Sequence, residues 1–167
     1  MMRAPERRWY ADPAAWRVIG LAYLPLLGGL NLAWEVAHLP LYTLWATASP
    51  DFIAFAVLHC TLGDVAIGMA VLGLALVVVR APELERWHWT AIAASTALFG
   101  SAYTVISEWM NTAAGHWAYS SHMPTLSAWG HEIGVSPLAQ WLLLPPLCLR
   151  LARWSIAHRM VPHERRS

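Results

Sequence analysis

Between Asn31 and Tyr42 the chain reads Asn-Leu-Ala-Trp-Glu-Val-Ala-His-Leu-Pro-Leu-Tyr, in an otherwise apolar setting. Asn31, Glu35, His38 and Tyr42 are spaced i, i+4, i+7 and i+11. That spacing places an amide, a carboxyl, an imidazole and a phenol on one helix face. Two later segments repeat the idea. Gly100, Thr104, Glu108 and Asn111 share a face, and so do Cys60, Asp64 and Gly68, with His59 one position away. Gln140 stands near the start of the last apolar segment, and the polar stretch before it carries His116, Trp117, Tyr119, His122, His131 and Glu132.

One chemistry open to such a set is acid–base catalysis. A carboxyl in an apolar setting can give a proton to an alkene or take one from an allylic carbon, and a neighbouring imidazole or carboxyl closes the cycle. Glu35 and Glu108 are then the acid and base, His38 or His59 tunes them, and Asp64 adjoins them. Asn31, Tyr42, Asn111, Trp117, Tyr119 and Gln140 are the candidate substrate contacts. No cofactor is required. A second chemistry is metal or haem binding. Glu35-x-x-His38 has the i, i+3 spacing of carboxylate-bridged di-iron bundles, so Glu35, His38, His59 and Glu108 are the candidate ligands for iron or copper. Two histidines in separate helices could also clamp a haem axially. A third use is a proton or ion path in a transport or accessory subunit. A simpler role, helix glue through interhelical hydrogen bonds, explains Asn31, Thr104, Ser107 and Gln140 well.

These residues need elements to hold them. The chain has 167 residues, of which 57% are hydrophobic and 13% charged, against about 25% charged in an ordinary soluble domain. Four apolar segments stand out: Trp16 to Trp45, Phe52 to Val79, Thr90 to Trp109 and Leu138 to Trp154. Each can cross a bilayer core, which takes about 20 helical residues. The expected fold is all-α: a polytopic membrane protein, residues 1–167 forming one integral four-transmembrane-helix bundle with an outer loop at 110–137. Pro25, Pro40 and the Pro145-Pro146 pair are expected to kink their helices. Ser136-Pro137 reads as an N-cap and first helical position. Trp16, Trp45, Trp87, Trp89, Trp109 and Trp154 fall near segment ends, as an aromatic belt does.

All eleven basic residues are Arg, and they divide sharply. Arg3, Arg7, Arg8 and Arg17 lie at the N-terminus, Arg80 and Arg86 between the second and third segments, and Arg150, Arg153, Arg159, Arg165 and Arg166 at the C-terminus. Residues 46–51 and 110–137 have none. The positive-inside rule makes both termini cytoplasmic, in a bacterial inner membrane. The N-terminal apolar run is too long for a signal-peptide core. His88, His158 and His163 sit near these arginines and read as interfacial. Cys60 and Cys148 lie in apolar runs, which gives neither a disulfide framework nor a CxxC site. A net charge of +1 without an aromatic-interleaved basic patch points to no nucleic-acid partner. The expected partners are the bilayer and a lipid-soluble small molecule, and a chain this small would need a homo-oligomer to act as a carrier.

Three acids at bilayer depth need a reason. A charged side chain at mid-bilayer costs about 2.5–3.5 kcal/mol on insertion scales. Glu35, Asp64 and Glu108 have no Arg or Lys at that depth, so each needs a proton, a hydrogen-bond donor, an imidazolium or a cation. Antiparallel helices bring these positions to similar depth, which predicts one pocket toward the outer side.

The stretches NLAWEVAHLPLYTLW, LHCTLGD, SEWMNTAAGHWAYSSHMP and SPLAQWLLLPP resemble a family of small bacterial four-span membrane proteins without an assigned activity. From Glu108 to Gln140 the chain is also similar to the lycopene cyclase domain, through Gly115, Trp117, Tyr119 and Pro137-Leu138. Ala139 and Gln140 stand where that domain has two glutamates. Four spans with intramembrane acids are also similar in outline to the sterol-isomerase-like superfamily, without a shared motif run. These likenesses imply isoprenoid or lipid chemistry.

Overall fold

A computed structural model describes residues 8–128 and 130–159. Arg3, Arg7, His163, Arg165 and Arg166 lie outside the described residues. Four helices are long and apolar enough to cross a membrane. We number them α1 (Pro13–Leu41), α2 (Pro50–Val78), α3 (Trp89–Ala113) and α4 (Val135–Arg159). At 1.5 Å per residue even the 25-residue α3 reaches about 38 Å, more than a bilayer core of about 30 Å. Apolar side chains point outward on every side, among them Leu21 at 79%, Leu62 at 61% and Leu98 at 65% exposure. Water would penalise that surface and lipid does not.

Each helix starts and stops for a local reason. Asp12 caps α1 by accepting from the Ala14 amide at 2.9 Å, with Pro13 at the first helical position. Ser49 caps α2 through the Phe52 amide, with Pro50 next. Pro25 cannot donate to the turn before it, and α1 absorbs the loss in a widened π turn over Ile19–Tyr23. Pro40 lies in the tight closing turn Leu39–Leu41. Pro145 and Pro146 stay inside α4, so the helix continues past them. Arg80, at φ 52°, ends α2 in a Schellman turn, its amide bonding Val77 O and the Ala81 amide bonding Leu76 O.

Successive helices pack side by side and α4 returns to α1, closing a four-helix ring. The end that carries the described arginines is an apolar core built on Tyr23, Leu27, Leu72, Leu76, Ile92 and Leu149. Trp87 belongs to this core at 5% exposure and donates to Pro82 O, so it is not part of an aromatic belt. Trp16, Trp45, Trp109 and Trp154 are exposed near helix ends, as expected.

One departure from an all-α fold occurs in the loop before α4. Strands β1 (Thr125–Ala128) and β2 (His131–Gly134) form an antiparallel hairpin pairing Thr125 with Gly134 and Ala128 with His131. Gly130, at φ +79°, supplies the left-handed backbone the tight turn needs. This hairpin and residues 42–49 form the end of the bundle opposite the described arginines.

Candidate functional site

Gln140 is the centre of the polar cluster. It is 3% exposed, and its Nε2 donates to Asn31 Oδ1 at 2.7 Å, Asp64 Oδ2 at 2.9 Å and Glu35 Oε1 at 3.2 Å. An amide has two N–H groups, so three acceptors must share them. The carboxyls of Asp64 and Glu35 thus meet on one amide nitrogen.

The cluster extends through His38. Its Nε2 meets Glu35 Oε2 at 3.2 Å and its Nδ1 meets Ser136 Oγ at 3.0 Å. His38 is buried, so both ring nitrogens are held by protein. Asn31 anchors the other end by donating to Leu27 O at 2.8 Å. The register explains the convergence. Asn31, Glu35 and His38 follow one face of α1, and Ser136 and Gln140, one turn apart, follow the face of α4 that meets it.

Glu108 forms a second lobe. Tyr119 donates its hydroxyl to Glu108 Oε2 in a short bond, and Trp117 Nε1 donates to the same oxygen at 3.4 Å. Glu108 lies within electrostatic reach of His38 and Glu35. Gly115 makes this lobe by ending α3 at φ +73° in a Schellman turn that sends the chain back over the bundle. Tyr42 joins the two lobes, its ring 5.3 Å from His38 and 5.7 Å from Tyr119.

The loop before α4 is stitched down over the cluster. The Thr43 amide donates to Ala118 O at 3.0 Å, the Ser120 amide to Leu41 O at 2.9 Å, and the Gly134 amide to the Tyr119 hydroxyl at 3.0 Å. Burial, then the neighbouring carboxylates, keeps the Tyr42 phenol above its ordinary range. For Tyr119 the causes are burial, then the bond to Glu108. A folded-state pKa raised above the unfolded value of about 10 contributes stability that is complete below that pH and lost as pH rises past it. Tyr119→Phe should therefore cost about 1–2 kcal/mol at pH 7 and shrink the loss of thermal stability above pH ~10. Melting curves in detergent from pH 7 to about 11 check both.

Some candidates fall elsewhere. His59 is exposed and stacks on Phe55 at 5.6 Å, pointing away from the cluster. Asn111 is tied to its own helix end, donating to Ser107 O at 2.8 Å and meeting His116 Nδ1 at 2.9 Å. His122, His131 and Glu132 are exposed, with His131 against Trp109 and Glu132 accepting from Ser127. Ser136 does not cap α4: the helix begins at Val135, and the hydroxyl serves His38 instead. It is the one site residue the spacing argument assigned another job, although its i, i+4 relation to Gln140 was the available signal.

The donor set does not fit a metal. Among the described residues no group of three or more His, Cys, Asp and Glu is placed to hold an ion. His59 diverges, and both nitrogens of His38 are engaged, which also removes the axial pair a haem needs. A continuous ion path finds no support either, because the opposite end is packed with apolar side chains among the described residues. What the arrangement can do is store and move protons between Asp64, Glu35 and His38, with Glu108 and Tyr119 as a second proton-holding pair. No family model matches this chain, and neither a curated protein nor a solved structure matches it.

Proposed function

We propose that this protein is a bacterial inner-membrane enzyme doing acid–base chemistry, of the isomerase or cyclase type, on a lipid-soluble substrate. The observation that carries the reading is the Glu35–Asp64 carboxyl pair on the Gln140 amide, with His38 on its flank. Helix glue alone would be served by amides, which carry no ionisation cost. Here two carboxyls face each other beside an imidazole, an arrangement that can hold a proton at one carbon and accept one from another. The similarity of the Glu108 to Gln140 stretch to the lycopene cyclase domain points to the same class. Gln140 is engaged in holding acids rather than acting as one, so in this reading the proton is held by the carboxyls it binds, Glu35 and Asp64.

Deuterium tests this directly. Membranes holding the protein are incubated in D2O and their lipids extracted. One lipid should gain deuterium with the wild type and not with Glu35→Gln at equal protein level. Identical isotope patterns in wild type, variant and empty membranes for every extracted lipid would overturn the reading.

Arginine asymmetry supports the orientation. Arg8, Arg17, Arg80, Arg86, Arg150 and Arg153 are all near one end of the bundle, and the loops at the other end have none. That asymmetry supports an orientation with the cluster in the outer leaflet and both termini in the cytoplasm. A C-terminal alkaline phosphatase fusion should be inactive and a C-terminal fluorescent protein bright. An active phosphatase would reverse the orientation.

A further inference from the structure

A cleft of about 610 Å³ opens between α1 and α2 at the loop end. That is within the range of pockets that hold small molecules, about 300–1,000 Å³. Leu32, Val36 and Leu39 form one wall, Ile53 and Val57 the other, and Trp45 covers the top. None of the acids lines it. Its position relative to them is nevertheless fixed by register. On α2, Ile53, Val57, Cys60 and Asp64 follow i, i+4, i+7, i+11 along one stripe. On α1, Val36 and Leu39 stand one residue, about 100° of helix, round from Glu35 and His38. The α2 wall of the cleft therefore lies on the stripe that leads down the α1–α2 seam to Cys60 and Asp64.

We propose that this cleft is the hydrocarbon subsite of the polar cluster, and that its ligand is a single-chain lipid with an uncharged head, carrying no phosphate. The assignment rests on the acid–base reading for the identity of the head site, and on charge for the ligand class. Phosphate recognition takes Arg, Lys or a helix N-terminus. The groups at the inner end of the seam are Glu35, Asp64 and the nearby Glu108, and the described arginines are at the far end of the bundle. An anionic head would meet carboxyls and no Arg or Lys among the described residues, and the α2 N-terminus at the cleft is already capped by Ser49 and carries Asp51 in its first turn. A hydroxyl meets no such repulsion, since it can donate to the carboxyl oxygens. The stitched outer loop closes the route from water, which leaves the seam, facing lipid, as the way in.

The test uses hexadecanol bearing a diazirine at mid-chain, and its phosphate monoester, on the detergent-solubilised full chain. After irradiation, adducts of the alcohol should map to residues 32–39 and 53–58, and unlabelled hexadecanol should compete them away. The phosphate should label at least tenfold less. Ala54→Trp, which fills the cleft from an exposed position, should remove labelling without changing the melting temperature. The competition experiment needs no variant, so a poorly folded Ala54→Trp does not block it. Labelling elsewhere, equal labelling by the phosphate, or labelling that a folded Ala54→Trp leaves intact overturns the proposal. If the cleft is labelled as expected while no lipid exchanges deuterium, the subsite stands and the catalytic reading fails. If exchange occurs and the cleft is unlabelled, the reverse holds.

Discussion

Gln140→Leu should lower the unfolding free energy by about 3 kcal/mol in detergent, more than any other single change in the cluster. The side chain volume is nearly kept, so the effect is not a cavity. It comes from the acceptors left behind. An ordinary interhelical hydrogen bond in a membrane is worth about 0.6 kcal/mol, because the unfolded chain in lipid also finds partners. Three such bonds would sum to under about 2 kcal/mol. Two of the acceptors here are carboxyls, however, and bonds to charged groups are worth about 1.5–3 kcal/mol each. Without the amide, Glu35 and Asp64 face each other and Asn31 Oδ1 loses its donor. Asn31→Ala is the matched control. It removes one acceptor and leaves the donor with two, so about 1 kcal/mol is expected. Unfolding by increasing SDS fraction in mixed micelles reads both. Equal losses for the two variants would reduce Gln140 to common glue.

Much of this cluster was legible in the sequence, and the exceptions have physical causes. Glu35, His38 and Asn31 announced themselves because α1 carries polar groups at helical spacing in an oily segment. Asp64 was visible for the same reason. His59 diverges because α2 carries so few polar residues that their spacing fixes its rotation only loosely. One residue of chain is about 100° of helix, enough to send His59 to the exposed side of the bundle while Asp64 faces Gln140. Gln140 was legible as a contact but not as a hub, since that role depends on three distant acceptors arriving together. The hairpin was missed because strands of four residues in a polar loop leave too short an alternation to read. Trp117 and Tyr119 stand out as aromatics of a polar loop, and Gly115 only within the stretch similar to the lycopene cyclase domain. The structure gives them a mechanical meaning: a left-handed glycine turns the chain, and two donors land on Glu108.

Packing outside the cluster sets its precision, and Gly100→Ala should expose that link. A Cβ built on Gly100 falls 2.2 Å from Trp141 Cε3, 2.9 Å from Cδ2 and 3.0 Å from Cζ3. The obstacle is a rigid ring that is 4% exposed, and the Gly100 carbonyl is held by the Thr104 hydroxyl at 3.0 Å. Something larger than a side-chain tip must move, so α4 should be pushed off α3. The cost should be about 2–3 kcal/mol, at the upper end for overpacking. Gly68 has a similar approach, 2.1 Å from Leu27 Cδ2, but the end of a leucine can turn aside, so Gly68→Ala should cost less. Gly73, with nothing within 4 Å, is the neutral comparison. Trp141 adjoins Gln140 in the chain, so displacing α4 also draws the amide away from Asn31, Glu35 and Asp64. Gly100→Ala should therefore lose deuterium exchange along with stability, although position 100 touches none of the acids. Trp141→Phe in the Gly100→Ala background should restore part of both. A Gly100→Ala protein that unfolds and exchanges like Gly73→Ala would mean that the α3–α4 seam is softer than its geometry and does not position Gln140.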